Sequence, residues 1–322
     1  MIKHKVRVKV PASTANLGPG FDALGMALNL HAWIDMEIAE ETSFHWVGEQ
    51  LKGIPVDKSN LIYQVAQMVF DYAGVSHPEL RITMYSEIPL TRGLGSSASA
   101  IIGALAGANA LIGGKLSQDE LFQIATKLEK HPDNVGASLF GGIVVAFWDG
   151  SRAEYIRLEP DVHLEVLVAI PSFQLSTEKA RNVLPQQITL QDAVYNLSHS
   201  SLLVAALSTG NLGMIKHAMK DRLHQQYRAA LIPGMLEILE RATDHGALGA
   251  ALSGAGPTML ALFDSRNENK AELENFLKQT FMKESIEIEL LWLKPSLEGV
   301  SVTNLTESSP ELQDLFKGEV KA

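Results

Sequence analysis

The stretch Pro89–Ala100, PLTRGLGSSASA, sets two glycines and two adjacent serines directly before a run of apolar residues. A tight connection rarely needs more than one glycine. This many small residues leaves several backbone N–H groups available at a helix start, where the macrodipole adds partial positive charge. Such a turn either binds an anion, phosphate first, or is a plain Gly-Ser turn closed by a serine N-cap. Three more stretches combine glycine with small polar residues: PASTANLGPGFDALG (Pro11–Gly25), EKHPDNVGASLFGG (Glu129–Gly142) and SGAGPT (Ser253–Thr258). Taken singly, each is a turn.

The elements around these stretches alternate in period. Val6, Val8 and Val10 share one face of a first strand, which opens the amphipathic stretch MIKHKVRVKVPAS; Ala32, Ile34, Met36 and Ile38 share a face of a second. Helical spacing follows through Leu61, Val65, Met68, Val69 and Tyr72 and stops at Gly74, and Leu80, Ile82 and Met84 return to strand period. The helix after the serines, ASAIIGALAGANALIG, carries small residues on every side, so its neighbours must approach closely. SQDE (Ser117–Glu120) is a capping box for a helix through Leu121, Ile124 and Leu128 that ends at EKHPDN, and GGIVVAFW is a strand. Beyond the polar segment DGSRAEYIRLEPD the order is strand (HLEVLVAIP), helices over 176–245, two strands flanking SGAGP, a helix around Ala271–Thr280 and a last strand, IEIELLWL. That order resembles an elaborated ferredoxin-like half. Mixed strands and helices in both halves predict an α+β chain rather than a doubly wound parallel sheet.

Composition narrows the function. At 322 residues, with 46% hydrophobic and 20% charged, the chain is long enough for two domains. A net charge of −10 disfavours a protein that coats nucleic acid or anionic membrane. With no cysteine, disulfides, thiolate zinc sites and cysteine nucleophiles are excluded. The N-terminus lacks the apolar core of a signal peptide, and a cytoplasmic location is expected. There is no G-x-x-x-x-G-K-[ST]: GGKL at Gly113–Leu116 has leucine where the hydroxyl residue belongs. Nor is there a G-x-G-x-x-G after a strand, an H-E-x-x-H or a G-x-S-x-G.

In order and spacing the four glycine-rich stretches match the motifs of the GHMP superfamily of small-molecule kinases, and Pro89–Ala98 matches its phosphate loop, P-x-x-x-G-L-x-S-S-A. Within it, ANLGPGFDALGMAL, HPDNV, STEKARNVLP and YRAALIPG resemble the homoserine kinases, over most of the chain from about Val6 to Leu293. The resemblance implies a two-domain α+β fold: a ribosomal-protein-S5-like, ATP-binding domain over 1–155, a ferredoxin-like domain over 156–300, and a tail over 301–322 without a match. It implies ATP and Mg²⁺ as cofactors, L-homoserine as substrate, no nucleic acid or membrane partner, and leaves a homodimer open.

The site residues follow from the matched motifs. Pro89, Arg92, Gly93, Leu94, Gly95, Ser96, Ser97 and Ala98 would form the ATP-phosphate site. Asn60 would either contact adenine or serve as a plain N-cap. Glu129 and Ser97, in preference to Ser96, would hold Mg²⁺. Arg181 and Arg228 would take the substrate carboxylate, and Asp22 with Asn16 its ammonium, with His131 a further substrate contact. Asn134 stands where mevalonate kinase-like relatives carry an aspartate; an amide does not titrate near neutral pH, so it would orient the attacking hydroxyl. Asp133 is the alternative, as base or as helix cap. Direct in-line attack suits phosphoryl transfer, which depends on alignment and charge neutralisation. Lys130 before His131, and Gly136 and Ala137 after Val135, depart from the G-H-P-D-N-V-A-P pattern and put the local backbone shape in question. Another acceptor, mevalonate or shikimate, and a non-catalytic nucleotide or metabolite sensor are the competing readings. Asp22 speaks against mevalonate, which has no ammonium.

Overall fold

The computed structural model describes residues 5–316; the start of the amphipathic stretch, Met1–His4, and the end of the tail, 317–322, lie outside the described residues. A first, seven-stranded sheet holds β1 (Lys5–Asn16), β2 (Gly20–Ala39), β3 (Ser43–Val47), β4 (Glu79–Ser86), β5 (Ile143–Trp148), β6 (Ala153–Leu158) and β11 (Ser301–Asn304). A second holds β7 (Leu164–Pro171), β8 (Gly249–Leu252), β9 (Met259–Asp264) and β10 (Ile288–Leu293) in the order β10-β7-β9-β8, all antiparallel. In the first sheet β3 and β4 run parallel, and the other pairs are antiparallel. The mixed α+β architecture and the element order of the second half are as the sequence predicts. The polar segment 149–161 contains β6, so the expected boundary at 155 falls inside a strand hydrogen-bonded to β5. The unmatched tail returns to the first sheet: β11 pairs with β1, Leu312 is buried, and Phe316 stacks on Tyr85 at 3.9 Å.

Alternating valines place Val6, Val8 and Val10 wholly inside, facing α2 (Ser96–Leu111), which lies across the sheet beside α1 (Leu61–Tyr72). Small residues let α2 come close. A Cβ on Gly103 would stand 2.5 Å from Ile34 Cδ1, and one on Gly107 3.2 Å from Val8 Cγ2. Helix α1 forms where predicted but buries a face shifted by one residue: Ile62, Tyr63, Val65, Ala66, Val69 and Phe70 are inside, while Leu61 and Tyr72 are exposed. Helix α1 packs against α2, and its buried face includes the large residues Tyr63 and Phe70. Helices α3 (Gln118–Glu129) and α4 (Asp133–Phe140) join α2 to β5, and Ser117 with Glu120 closes the predicted capping box. The second sheet is covered by α5 (Thr177–Asn182), the short helices Gln225–Arg228 and Met235–Arg241, and the helix Lys270–Lys283; α6 (Leu190–Ser208) packs on the first core. Among the described residues no helix is long and apolar enough to cross a membrane.

Candidate active site

A cleft of about 130 Å³ lies where the loop 89–95, the β1–β2 turn, the α3–α4 junction, α5 and the β8–β9 turn converge. The loop is gripped on both sides. Ser13 N donates to Leu94 O at 3.2 Å, Thr258 N donates to Arg92 O at 3.3 Å, and Ser253 Oγ donates to Gly93 O at 2.6 Å. Gly93 and Gly95 have φ of +81° and +72°, and a Cβ on either would fall 2.3 Å from Ser253 O or 2.1 Å from Ser13 Oγ. Both conformation and space therefore require glycine. Gly95 occupies the N-cap of α2 and no side chain caps the helix, so the serine-capped turn is not what forms. The first amides of α2 instead open toward the cleft, with Ser96 and Ser97 on its wall. Pro89 enters the loop, Leu94 anchors it in the core, Ala98 lines the cleft, and Arg92 reaches sideways to donate to Ser172 O at 2.7 Å.

The α3–α4 junction supplies the acidic wall. Lys130 closes α3 in the left-handed region (φ +65°), a position glycine usually takes, and Gly136 lies inside α4, where a Cβ would meet Val144 Cγ1 at 2.9 Å. The two departures thus mark a helix end carried by a lysine and a helix packed tightly on β5. The reversal turns Glu129 to the loop, where Ser97 Oγ donates to Glu129 Oε1 at 2.5 Å. His131 Nδ1 lies 2.6 Å from Asp133 Oδ1 and its Nε2 3.6 Å from Glu129 Oε2. Burial opposes charging of this imidazole, but Asp133, Asp22 and Glu129 together outweigh it and hold the pKa at about 9. Asp133 also accepts from Asn134 N at 2.7 Å. Asn134 Nδ2 donates to Ser13 Oγ at 3.0 Å and lies 3.4 Å from Ser13 O, an obligate acceptor, which leaves Oδ1 as the end turned to the cleft.

Across from these, Asn16 and Asp22 take positive φ (72° and 55°) in the β1–β2 turn, a conformation Asn and Asp tolerate best among side-chain-bearing residues. Asn16 Oδ1 accepts from Asp22 N at 3.0 Å while its Nδ2 donates to Gly254 O at 2.9 Å. Asp22 and Arg181 form a two-pronged ion pair at 3.0 and 2.8 Å, so here the expected ammonium and carboxylate partners hold each other. Arg228 is 2% exposed; its Nε donates to Ala180 O and its Nη1 to Gly254 O, both at 3.0 Å. Burial, then the Arg181 charge, lowers its pKa to about 10, which leaves it charged at neutral pH. The Phe21 ring lies beneath both guanidiniums, at 5.7 Å from Arg181 and 5.2 Å from Arg228.

Asn16, Asp22, Gly93, Gly95, Ser96, Ser97, Ala98, Glu129, His131, Asp133, Asn134, Arg181 and Arg228 are thus brought to one cleft. Asn60 is not. It is buried and caps α1, its Oδ1 accepting from Ile62 N at 2.9 Å and its Nδ2 donating to Pro55 O at 2.8 Å. Phe21 lines the cleft, and Ser13 and His224 hydrogen-bond its residues Asn134 and Arg228, without having been singled out. Ser13 reads as one more inward residue of a strand, and Phe21 as an apolar turn residue; only His224, one helical turn before Arg228 in HQQYR, carries a spacing signal.

The family model described as GHMP kinases N terminal domain matches residues 60–142, and that described as GHMP kinases C terminal matches 203–281. The chain is 44% identical over 279 residues to the homoserine kinase of Deinococcus radiodurans, covering 87% of this chain and 91% of that one. It is 40% identical over 304 residues to that of Clostridium beijerinckii, covering 94% and 100%. Among solved structures it is similar to homoserine kinase from Cytophaga hutchinsonii, with a TM-score of 0.83 and 27% identity over 94% of this chain and 98% of the other. Two sheets joined at a cleft, a glycine loop opening a helix onto it, and identity of this extent to these relatives lead to one conclusion: the chain belongs to the homoserine kinase family of the GHMP kinases.

Proposed function

We propose that this cleft transfers the γ-phosphoryl group of ATP to the side-chain hydroxyl of L-homoserine, giving O-phospho-L-homoserine for threonine synthesis. The observation that carries the reading is the opposition of two surfaces in one cleft: a helix N-terminus with exposed amides, and a set of two guanidiniums and a carboxylate that complements an amino-acid zwitterion. Gly93–Ser97 hold the nucleotide phosphates through backbone amides. Ser97 and Glu129 fit Mg²⁺, because a hydroxyl and a carboxylate in contact are oxygen donors of the kind this hard cation takes. Mg²⁺ held there neutralises charge on the phosphates.

The substrate carboxylate goes to the arginines and its ammonium to Asp22, so that binding divides the Asp22–Arg181 pair between the two ends of the zwitterion. Asn134 accepts from the attacking hydroxyl through Oδ1 and aligns it. Asp133 is poorly placed as a base, since its carboxylate already serves His131 and the α4 amide. Protonated His131 adds positive charge beside the transferred group. A homodimer and a cytoplasmic location complete the proposal, to be tested by sedimentation and by fractionation. The deciding assay is ADP release with Mg·ATP across L-homoserine, mevalonate, shikimate and galactose. Homoserine should be used in strong preference; turnover confined to another acceptor, or absent with all, overturns the reading.

A further inference from the structure

His224 is fully buried between the β1–β2 turn and the Gln225–Arg228 helix, and its two ring nitrogens meet partners of fixed character. Nε2 lies 2.8 Å from Gly18 O, a carbonyl that can only accept, and Nδ1 lies 3.2 Å from Arg228 Nη1, which can only donate. The ring therefore carries its proton on Nε2 and presents a lone pair to the guanidinium. Phe21 stacks on the same ring at 4.9 Å and holds its plane. Burial, with Arg228 acting in the same direction, lowers the pKa of His224 against the opposing pull of Asp221, whose carboxylate is 3.7 Å from Nε2.

The consequence lies in how Arg228 differs from Arg181. Arg181 has a carboxylate partner, Asp22. Arg228 has carbonyls and a neutral imidazole on Nε and Nη1, and among the described residues no carboxylate at ion-pair distance. Its Nη2 has no partner and is not sealed off, so it is the nitrogen left to the cleft. We propose that His224 is a positioning residue: as the Nε2–H tautomer it holds the Arg228 guanidinium charged, out of direct contact with any carboxylate of the described residues and with Nη2 facing the cleft, and thereby sets the affinity for the substrate carboxylate. An acidic residue in its place would supply the counter-ion from within and compete with the substrate. The proposal rests on the reading that the cleft takes homoserine.

The test is steady-state kinetics of the full chain and three variants, with L-homoserine varied at saturating Mg·ATP. Removing a hydrogen bond to a charged group should raise KM for homoserine by about tenfold or more in His224→Ala, while KM for ATP stays within about twofold. His224→Asn can place an amide oxygen where Nδ1 stood and should stay within about threefold of the parent chain. His224→Gln reaches Gly18 O but not Arg228 and should behave as His224→Ala. If His224→Ala fails to fold, the Asn and Gln variants decide alone. An unchanged homoserine KM in His224→Gln, or a reversed order with Gln intact and Asn impaired, overturns the proposal, because the ring would then serve only to pin the Gly18 turn. A parent chain that ignores homoserine sinks the functional reading, and this inference with it; a parent chain that uses homoserine with indifferent His224 variants sinks this inference alone.

Discussion

Residues 89–98 bring backbone amides and hydroxyls to one side of the cleft from a single unbroken stretch, whereas the other side gathers Asp22, Arg181, His224 and Arg228 from three separate segments. The first side owes its shape to local conformation: positive φ at two glycines and a helix that begins where they end. The second owes its shape to contacts between segments, since Arg181 is aimed by Asp22 and Arg228 by Gly254, Ala180 and His224. On the proposed reading, local geometry makes the phosphate site and long-range geometry the acceptor site, and damage to each side should read out differently.

The largest effect is expected on the phosphate side. If Glu129 holds Mg²⁺ as proposed, Glu129→Gln removes the ligand charge and should cut turnover by about a thousandfold, the scale of several kcal/mol of lost charge stabilisation, with melting temperature kept and the Mg²⁺ requirement raised. Full turnover at unchanged Mg²⁺ dependence would remove Glu129 from the metal site. At the junction of the two sides, Asn134→Ala should slow the chemical step by about a hundredfold, corresponding to roughly 3 kcal/mol for one lost orienting group. Single-turnover measurement of Asp133→Asn makes the comparison sharper: elimination of transfer with both substrates still bound would make Asp133 the base.

On the acceptor side, Arg228→Ala should lower kcat/KM for homoserine by about 30-fold or more and leave ATP affinity alone, since stripping one partner from a buried charged contact costs about 2–5 kcal/mol. Arg181→Ala should cost less, because Arg181 is half-exposed and shares Asp22. An equal loss in the two variants would break the contrast between them.

His131 links the acidic wall to pH. Its pKa is raised to about 9 in the folded chain, above the ordinary value of 6.5, so its contribution to stability is complete below about 6.5 and is lost as pH rises toward 9. Melting temperatures of the parent chain and His131→Gln should therefore differ most at about pH 6.5 and just below, and converge above pH 9; a difference that stays constant from pH 6.5 to 9 would mean that His131 is not charged. The smallest effect belongs to Asn60→Ala, expected to destabilise by about 1 kcal/mol as a lost N-cap, with KM for ATP unchanged. A several-fold rise in KM for ATP at full stability would return Asn60 to the adenine site.

How much could be read without coordinates differs along the chain for physical reasons. The strands through Val6–Val10 and Ala32–Ile38 show because inside and outside alternate along the backbone itself, and the capping box at Ser117–Glu120 shows because its partners are three residues apart. The buried face of α1 was misjudged by one residue because which side of a helix is covered depends on the element it packs against, here α2. The tail strand β11 had no signal of its own: Ser301–Asn304 is exposed on its side chains and held through backbone pairing with β1. In the site, motif spacing located Glu129, His131, Asn134, Arg181 and Arg228, but not what each one touches.

The amino-acid sequence by itself determined the period of the elements, the glycines without which the loop before α2 could not fold, and the residue types that phosphoryl transfer to an amino acid requires. Those are properties of neighbours along the chain. Tertiary structure alone decided that Asp22 and Arg181 pair with each other, that Arg228 stands buried with no carboxylate of the described residues at ion-pair distance, that His224 takes a single tautomer, and that Asn60 is spent on a helix cap. Each depends on groups from distant segments meeting where water is excluded. Burial there makes every unmet hydrogen bond costly, so the partners at hand dictate which way a side chain turns and which charge it keeps.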